Sequence, residues 1–308
     1  LAMGILNSTR RFAPPALASG VFNVVSILFV FGFTPLLPEP VYGAAVGVAL
    51  GGLAQFLIQV PALYQEGFPL SFRRPIRPLH PGVVQMGRLL LPTTLGLSVT
   101  QINVLVNTLL ASYLVAGSVT YLYFGMRLIH FPLGIFAVAL STAILPTPSA
   151  QTAKGETEGL RQTFSFGLRL VFFITFPAMM GLILFRIPIV HLLFEHGEFG
   201  RVATLGTANA VLFYSIGLWA FAGIRIVVPV FYSLQDTKTP VKIGLVAVVA
   251  NVILNLILMG PLQHGGLALA TSLSAILNFS LLLRILRKRI GRIDGKRILN
   301  SHLKVLLA

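Results

Sequence analysis

The chain has 308 residues, of which 56% are hydrophobic and only 10% are charged, and its mean hydropathy is +0.87. Soluble domains carry about 25% charged residues, so the composition excludes a soluble domain and predicts an all-α, polytopic membrane protein. The net charge of +15 does not indicate a nucleic-acid partner, because the basic residues lie between apolar segments, as they do in membrane proteins.

Eight segments are long and apolar enough to span a membrane as helices of about 20 residues or more. In chain order they are residues 14–36, 42–63, 89–115, 119–147, 162–185, 203–232, 240–260 and 265–285. The Pro-rich connection 65–88 predicts a linker between two helical halves. The chain opens without Met, at LAMGILNS, and stops soon after a basic segment, so we expect a fragment of a longer protein.

The connections differ in charge and predict the orientation of the chain. Alternate loops are rich in Lys and Arg, whereas the other set of loops contains only Arg186 and Arg201. The positive-inside rule therefore predicts that the basic loops are cytoplasmic. The basic segment 286–308 is then cytoplasmic too, where it either fixes the topology or binds anionic lipid head groups.

Arg127 stands out because it lies inside the apolar stretch 117–146. Thr120, Arg127, His130 or Phe131, and Gly134 recur at helical spacing and are expected to share a face. An intramembrane arginine marks either an anion-binding cavity or an interfacial or interhelical anchor. The planar guanidinium suits phosphate in the first case. His130 would join an anion site if protonated, or pack as a neutral residue.

Other polar residues inside the apolar runs allow two interpretations. Arg225 lies about 12 Å from the nearer loop, which favours a snorkelling anchor over a site residue. Amides form two i, i+4 pairs, Asn103/Asn107 and Asn251/Asn255. Their oxygens would suit either interhelical hydrogen bonds or a hard cation such as Na⁺, and the absence of a carboxylate among them favours hydrogen bonds.

Enzymatic chemistry has little support in the sequence. Only eight carboxylates occur, none of them inside an apolar segment, and no metalloprotease, nucleophile-elbow or phosphate-loop motif is present. There is no cysteine, which excludes thiol and disulfide chemistry. We therefore predict a carrier of an anionic, lipid-like substrate and no cofactor.

Several stretches, in the same order along the chain, resemble the MurJ/MviN family, the lipid II flippases of bacterial peptidoglycan synthesis. They are GILNSTRRFAPPALASGVFN, LPTTLGLSVTQINVLVNTLLASYL, GSVTYLYFGMRLIHFPLGIFAVALSTAILP, VHLLFEHGEF, FYSLQDTKTPVKI and GGLALATSLSAILN. The family belongs to the multidrug, oligosaccharidyl-lipid and polysaccharide exporter superfamily. The resemblance covers almost the whole chain.

The resemblance implies a two-lobed transporter of fourteen helices, of which this chain would supply about eight. Residues 1–64 would be the remainder of the N-terminal lobe, 65–88 the inter-lobe linker, 89–285 the C-terminal lobe and 286–308 a cytoplasmic segment. By the resemblance, the lobes rock by alternating access and carry undecaprenyl-pyrophosphate-linked lipid II across the cytoplasmic (inner) membrane.

The resemblance also implies roles for particular residues. Arg127 matches the family's cavity arginine, thought to hold pyrophosphate, and Thr120 matches a polar cavity position on the same face. His130 stands where some members carry Glu.

A family Na⁺ site corresponds to Asn107, Asn251, Asn255 and Thr271. Asn107 and Asn255 replace carboxylates of members that bind Na⁺, so weak or absent Na⁺ binding is expected. Besides lipid II, the expected partners are membrane lipids and cell-wall synthesis proteins. The alternative functions are an exporter of a related polyprenyl-linked glycan or a drug, and a membrane scaffold that moves no cargo.

Overall fold

The structure, a computed structural model, describes residues 2–9, 11–34, 37–68, 101–138 and 157–291. Within these ranges every regular element is helical and no strand occurs, which confirms the all-α prediction. By length and hydropathy, the helices able to cross a membrane are Ala13–Phe33, Val41–Gln65, Glu158–Leu184, Lys238–Ile290 and the bent pair Arg201–Ile216 and Leu218–Ser233. The chain divides into two compact units, Leu1–Val84 and Gln85–Ala308.

The first unit is built on two spanning helices packed at very short distance. Its helices are α1 (Ala2–Ser8), α2 (Ala13–Phe33), α3 (Pro40–Leu57) and α4 (Val60–Gln65). Gly43, Gly47 and Gly51 form one stripe of α3, and a Cβ at Gly47 would lie 3.0 Å from the carbonyl oxygen of Ser26 in α2. The glycines therefore allow the two backbones to approach, as small residues do between membrane helices.

The second unit contains the remaining helices. They are α5 (101–112), α6 (Ser118–Pro132), a π-helical turn (Leu133–Val138), α7 (Thr157–Leu184), α8 (Arg186–Phe194), α9 (Arg201–Ile216), α10 (Leu218–Ser233) and α11 (Lys238–Ile290). Its core is a continuous apolar cluster from α6, α7, α9, α10 and α11. An aromatic group of Phe172, Phe176, Trp219 and Phe279 joins α7, α10 and α11, with ring centroids 5.6 to 6.3 Å apart.

Helix α11 is a helical hairpin that folds back at Gln263, where the backbone leaves the helical region (φ 50, ψ −132). Asn251 Nδ2 lies 3.4 Å from Ser274 Oγ, whereas 23 residues of straight helix would separate them by about 34 Å. Gly266 lies directly against the carbonyl of Leu258, which leaves no space for a side chain there. The two helices predicted at 240–260 and 265–285 are therefore the two arms of this hairpin.

The predicted span 203–232 is broken, which the sequence analysis did not foresee. Helices α9 and α10 meet at Gly217 with a bend of 46°. Ser272 of α11 presses against Gly217, and its hydroxyl donates to the carbonyl oxygens of Phe213 (2.7 Å) and Tyr214 (3.2 Å). This hydroxyl satisfies backbone acceptors near the break.

The other predicted spans correspond to helices as far as the structure describes them. Segments 14–36 and 162–185 are α2 and α7, and 42–63 comprises α3 and α4. Parts of the predictions lie outside the described residues: most of the linker 65–88, the ends 89–100 and 139–147 of two spans, and 292–308 of the basic segment.

Candidate functional site

Packing fixes which face of α6 is left open. Leu122 and Ile129 are buried in the core, and Gly125 touches Ala210 of α9. The helical period then turns the opposite face outward. That face carries Thr120, Tyr123, Arg127 and His130, all of them exposed. The structure thus brings the three predicted substrate-binding residues onto one open stripe, with Tyr123 between them.

A tyrosine holds the N-terminal part of α6 in place. The ring of Tyr121 packs against Gly206 of α9 and against Gly117, which precedes α6 with φ of 94°. The same ring meets His264 in the turn of α11 with centroids 5.3 Å apart, and His264 Nε2 lies 3.0 Å from the carbonyl oxygen of Gly206. Arg127, six residues further along α6, therefore lies about 9 Å deeper along the helix axis than this contact.

Arg127 has one partner in the described part of the chain, and it is not an acid. Its NH2 group donates to the hydroxyl of Tyr123 at 2.6 Å, and its Cζ lies 4.9 Å from the centroid of the Tyr123 ring. Among the described residues, no carboxylate lies within salt-bridge distance of Arg127. The charge is therefore held in position without being neutralised.

Arg225 of α10 belongs to the same neighbourhood. Arg225 and Arg127 both lie close enough to His130 to interact with it electrostatically, and Arg225 is exposed. Sequence reasoning had favoured a snorkelling anchor for Arg225. Both guanidinium groups, one from α6 and one from α10, therefore act on His130 electrostatically, and the anchor role of Arg225 stays a prediction.

The predicted amide cluster also comes together. Asn255 Nδ2 donates to Asn107 Oδ1 (2.5 Å) and to Asn251 Oδ1 (3.1 Å). Asn251 Nδ2 in turn contacts the hydroxyl oxygens of Thr271 (3.5 Å) and Ser274 (3.4 Å). Asn251 and Asn255 are completely buried. The cluster is thus a chain of hydrogen bonds that joins α5 to both arms of the α11 hairpin.

The centre of the cluster is a poor fit for a cation. The amide oxygens of Asn107 and Asn251 both face the NH2 group of Asn255, so donor hydrogens lie where a cation would have to bind. Only Asn255 Oδ1 is buried without a partner in the cluster. All members are neutral, and hard cations prefer carboxylate oxygens. In the described ranges no group of three or more acidic, His or Cys side chains has the arrangement of a metal site.

An ionic cluster lies at the end of the second unit where α11 begins and ends. Asp236 Oδ1 accepts from the backbone N–H of Thr239 (3.0 Å), and its Oδ2 accepts from the Thr239 hydroxyl (2.6 Å) and lies 2.7 Å from the Arg289 guanidinium. The Thr239 bonds, with Arg289 beside them, hold the pKa of the Asp236 carboxyl below its ordinary value. Nearby, Arg161 Nε donates to the carbonyl oxygen of Ile290 at 2.6 Å. These contacts fasten α7, α10 and both ends of the hairpin together.

A second ionic cluster occupies the connection between α8 and α9. Glu195 accepts from Thr204 Oγ1 (2.6 Å) and His191 Nδ1 (2.8 Å), with Arg201 at 3.8 Å. The bond from Thr204, followed by that from His191, lowers the pKa of Glu195. The cluster fixes the start of α9.

Sequence reasoning missed two polar residues that the structure associates with these sites. Tyr123 was overlooked because a tyrosine in an apolar helix usually packs, although its spacing of four from Arg127 placed it on the same face. Ser274 lies three residues after Thr271, so the two share a helix face. This spacing would have indicated that Ser274 belongs to the amide cluster.

Comparison with known proteins decides the family. The family model described as lipid II flippase MurJ matches residues 1–308. A probable lipid II flippase MurJ of Vibrio cholerae is 41% identical over 288 residues, covering 92% of this chain and 54% of that protein. The lipid II flippase MurJ of Burkholderia cenocepacia is 36% identical over 291 residues, covering 94% of this chain and 56% of that protein. The chain belongs to the MurJ family.

Solved structures agree with this assignment and extend it to the fold. A lipid II flippase MurJ in an inward closed conformation matches with a TM-score of 0.83 at 25% identity, covering 99% of this chain and 62% of that structure. An inward-facing multidrug transporter of the MATE family, within the MOP superfamily, matches with a TM-score of 0.77 at 16% identity, covering 96% of this chain and 68% of that structure. The predicted transporter fold is thus confirmed, and the chain is part of a multi-pass bacterial membrane protein. It spans 54% to 60% of the length of the first three MurJ relatives that it matches.

Proposed function

We propose that the full-length protein carries lipid II, a lipid-linked pyrophosphate, across the bacterial cytoplasmic membrane, and that it is a transporter rather than an enzyme. The observation that carries this proposal is the open face of α6. There Arg127 is exposed and has no carboxylate partner among the described residues, and both Arg127 and Arg225 interact electrostatically with His130. Relatives of the chain are named as lipid II flippases.

The electrostatics of this face favour an anionic ligand. An intramembrane arginine without an acidic partner is costly, and two guanidinium groups near one histidine repel each other. A pyrophosphate would relieve both costs, because each guanidinium offers a planar fork of donors that matches phosphate oxygens. We infer that Arg127 and Arg225 bind the pyrophosphate and that Thr120 and His130 contact the group attached to it.

The charges at the ends of α11 support an orientation. Lys238 and Lys242 begin the helix and a basic run, 284–289, ends it. Because α11 folds back at Gln263, both termini lie at the same end of the unit. We infer from the positive-inside rule that this end is cytoplasmic and contacts anionic lipids. Arg127 then lies in the outer half of the membrane, since the start of α6 contacts the opposite end at His264.

We propose further that the amide cluster joins helices and is not a Na⁺ site. The donor hydrogens of Asn255 at its centre support this view. Transport by the full-length protein is then expected to continue when Na⁺ is replaced by choline. A strict Na⁺ requirement would contradict the proposal.

The experiment that tests the function is replacement of Arg127 by Ala in the full-length protein, in cells whose own flippase is depleted. We expect growth to fail, because the pyrophosphate loses a charged ligand. The matched control is Arg201→Ala, which removes an exposed arginine near Glu195 and is expected to support growth. Full growth with Arg127→Ala at normal protein levels would favour a scaffold that moves no cargo. Transport of a different polyprenyl-linked glycan or drug instead of lipid II would favour a sister exporter.

A further inference from the structure

In the contact between Tyr123 and Arg127 the tyrosine hydroxyl acts as an acceptor, and its own hydrogen is not used in that contact. Its oxygen accepts a hydrogen bond from the Arg127 guanidinium at 2.6 Å. A phenol can accept and donate at the same time. Among the described residues no acceptor is found for the hydroxyl hydrogen of Tyr123. The donor capacity of this side chain is therefore available on the open face of α6, where 53% of the residue is exposed.

The ring of Tyr123 contributes a second contact that orients the guanidinium. Arg127 Cζ lies 4.9 Å from the ring centroid, within the range of a cation–π interaction. Arginine has five N–H donors, and only one of them is directed to Tyr123. Within the described ranges no other partner occupies the remaining edges of the fork, so they can bind a ligand. Tyr123 thus fixes the position of the charge without competing for it.

The neighbouring guanidinium also changes the chemistry of the hydroxyl. A positive charge that donates to the phenol oxygen polarises its O–H bond, because hydrogen bonds in a chain strengthen one another. The hydroxyl then becomes a better donor to an anion. Donor and charge lie on the same helix face, four residues apart, so one phosphate group can accept from both.

We propose that Tyr123 donates its hydroxyl hydrogen to the pyrophosphate of the lipid-linked substrate while it holds Arg127 in place. This inference rests on the proposed function and adds a substrate-contacting residue to it. The proposal also assigns Tyr123 a part in specificity. A neutral donor beside a guanidinium binds phosphate oxygens and adds little to the affinity for an uncharged isoprenoid.

The test is direct binding to the purified full-length protein, with an isoprenyl pyrophosphate as the probe and the corresponding isoprenyl alcohol as the uncharged comparison. Tyr123→Phe keeps the ring and removes only the hydroxyl. We expect about a tenfold loss of affinity for the pyrophosphate, the size of one hydrogen bond to a charged group. Affinity for the alcohol is expected to stay the same, which a merely structural role of Tyr123 would not predict.

Two further variants make the result decisive. Tyr113→Phe is the matched control, because it makes the same change in a tyrosine that is 75% exposed and away from Arg127; it is expected to bind like the wild type. In Arg127→Gln the pyrophosphate affinity is expected to fall, and adding Tyr123→Phe to it is expected to cost less than tenfold, because the two groups share one ligand.

The outcomes separate this inference from the function on which it rests. Wild-type affinity in Tyr123→Phe, together with weak binding in Arg127→Gln, would overturn the role of Tyr123 and leave the pyrophosphate site intact. Equal losses for pyrophosphate and alcohol in Tyr123→Phe would also overturn it, since the variant would then disturb the site as a whole. Undiminished binding in Arg127→Gln would remove the proposed site itself.

Discussion

Replacement of Asn255 by Ala is the most informative test of how the second unit is held together. Asn255 lies at the centre of the amide cluster and has no exposed surface. Its NH2 group donates to Asn107 in α5 and to Asn251 in the same arm of α11. The alanine variant removes both hydrogen bonds and leaves the amide oxygens of buried Asn251 and half-buried Asn107 without these donors.

The expected cost follows from the number of bonds and the acceptors left behind. Each lost bond inside a membrane protein contributes about 0.6 kcal/mol on average and up to about 1.7 kcal/mol. A buried acceptor without a donor costs about 1 to 3 kcal/mol. Asn255 also carries an oxygen with no partner, and its removal offsets part of the loss. We expect a net destabilisation of about 1 to 3 kcal/mol.

The free energy of unfolding of the full-length protein is measured by titration with a denaturing detergent in mixed micelles. Asn103→Ala is the matched control, because it makes the same change one turn away on α5, and its buried Oδ1 has no partner among the described residues. We expect a cost below about 0.5 kcal/mol for the control. A loss of stability in Asn103→Ala as large as that in Asn255→Ala would refute the account of the cluster.

Two further predictions concern the rest of the fold. Thr239 and Arg289 hold the pKa of Asp236 below its ordinary value of 3.8. The ionised carboxylate therefore stabilises the folded state above pH 3.8. This stabilisation is lost as the pH falls through the lowered pKa. Asp236→Asn is therefore expected to lower the melting temperature at pH 7, with the difference from wild type shrinking below about pH 4; a constant difference would contradict this. In the first unit, Gly47→Leu is expected to cost about 1 to 3 kcal/mol by forcing α2 and α3 apart, whereas Gly52→Leu, which has open space around its Cβ, is expected to be close to neutral. Equal unfolding free energies for the two leucine variants would refute the role of the glycine stripe.

The spanning helices could be predicted because their signals are local. The hairpin of α11 follows from two apolar runs separated by GPLQHGG, whose glycines and proline interrupt the helix. The break at Gly217 had no such signal, since residues 203–232 read as one apolar run. It depends on the hydroxyl of Ser272, which reaches the break from a helix 55 residues further along the chain.

In the site, too, the arrangement within one helix could be predicted, whereas contacts between helices could not. Helical periodicity alone placed Thr120, Arg127 and His130 on one face, and the structure leaves that face open. The electrostatic interaction of Arg225 with His130 depends on how the helices of the second unit pack, which helical spacing within one segment does not show.

In the amide cluster, the two i, i+4 pairs were visible from spacing. The direction of the hydrogen bonds was not, because it is set by the contact between Asn107 and Asn255 across 148 residues. That direction is what makes the centre of the cluster unfavourable for a cation.

Transport of lipid II by the full-length protein in proteoliposomes tests the central proposal most directly. Wild-type protein and Arg127→Gln are reconstituted at equal amounts, and the lipid II that reaches the opposite leaflet is measured with time. Loss of charge-assisted bonds worth about 1.5 to 3 kcal/mol is expected to slow transport by about 10- to 100-fold in Arg127→Gln at low lipid II concentration. Equal rates for the two proteins would contradict the assignment of the Arg127 face as the pyrophosphate site.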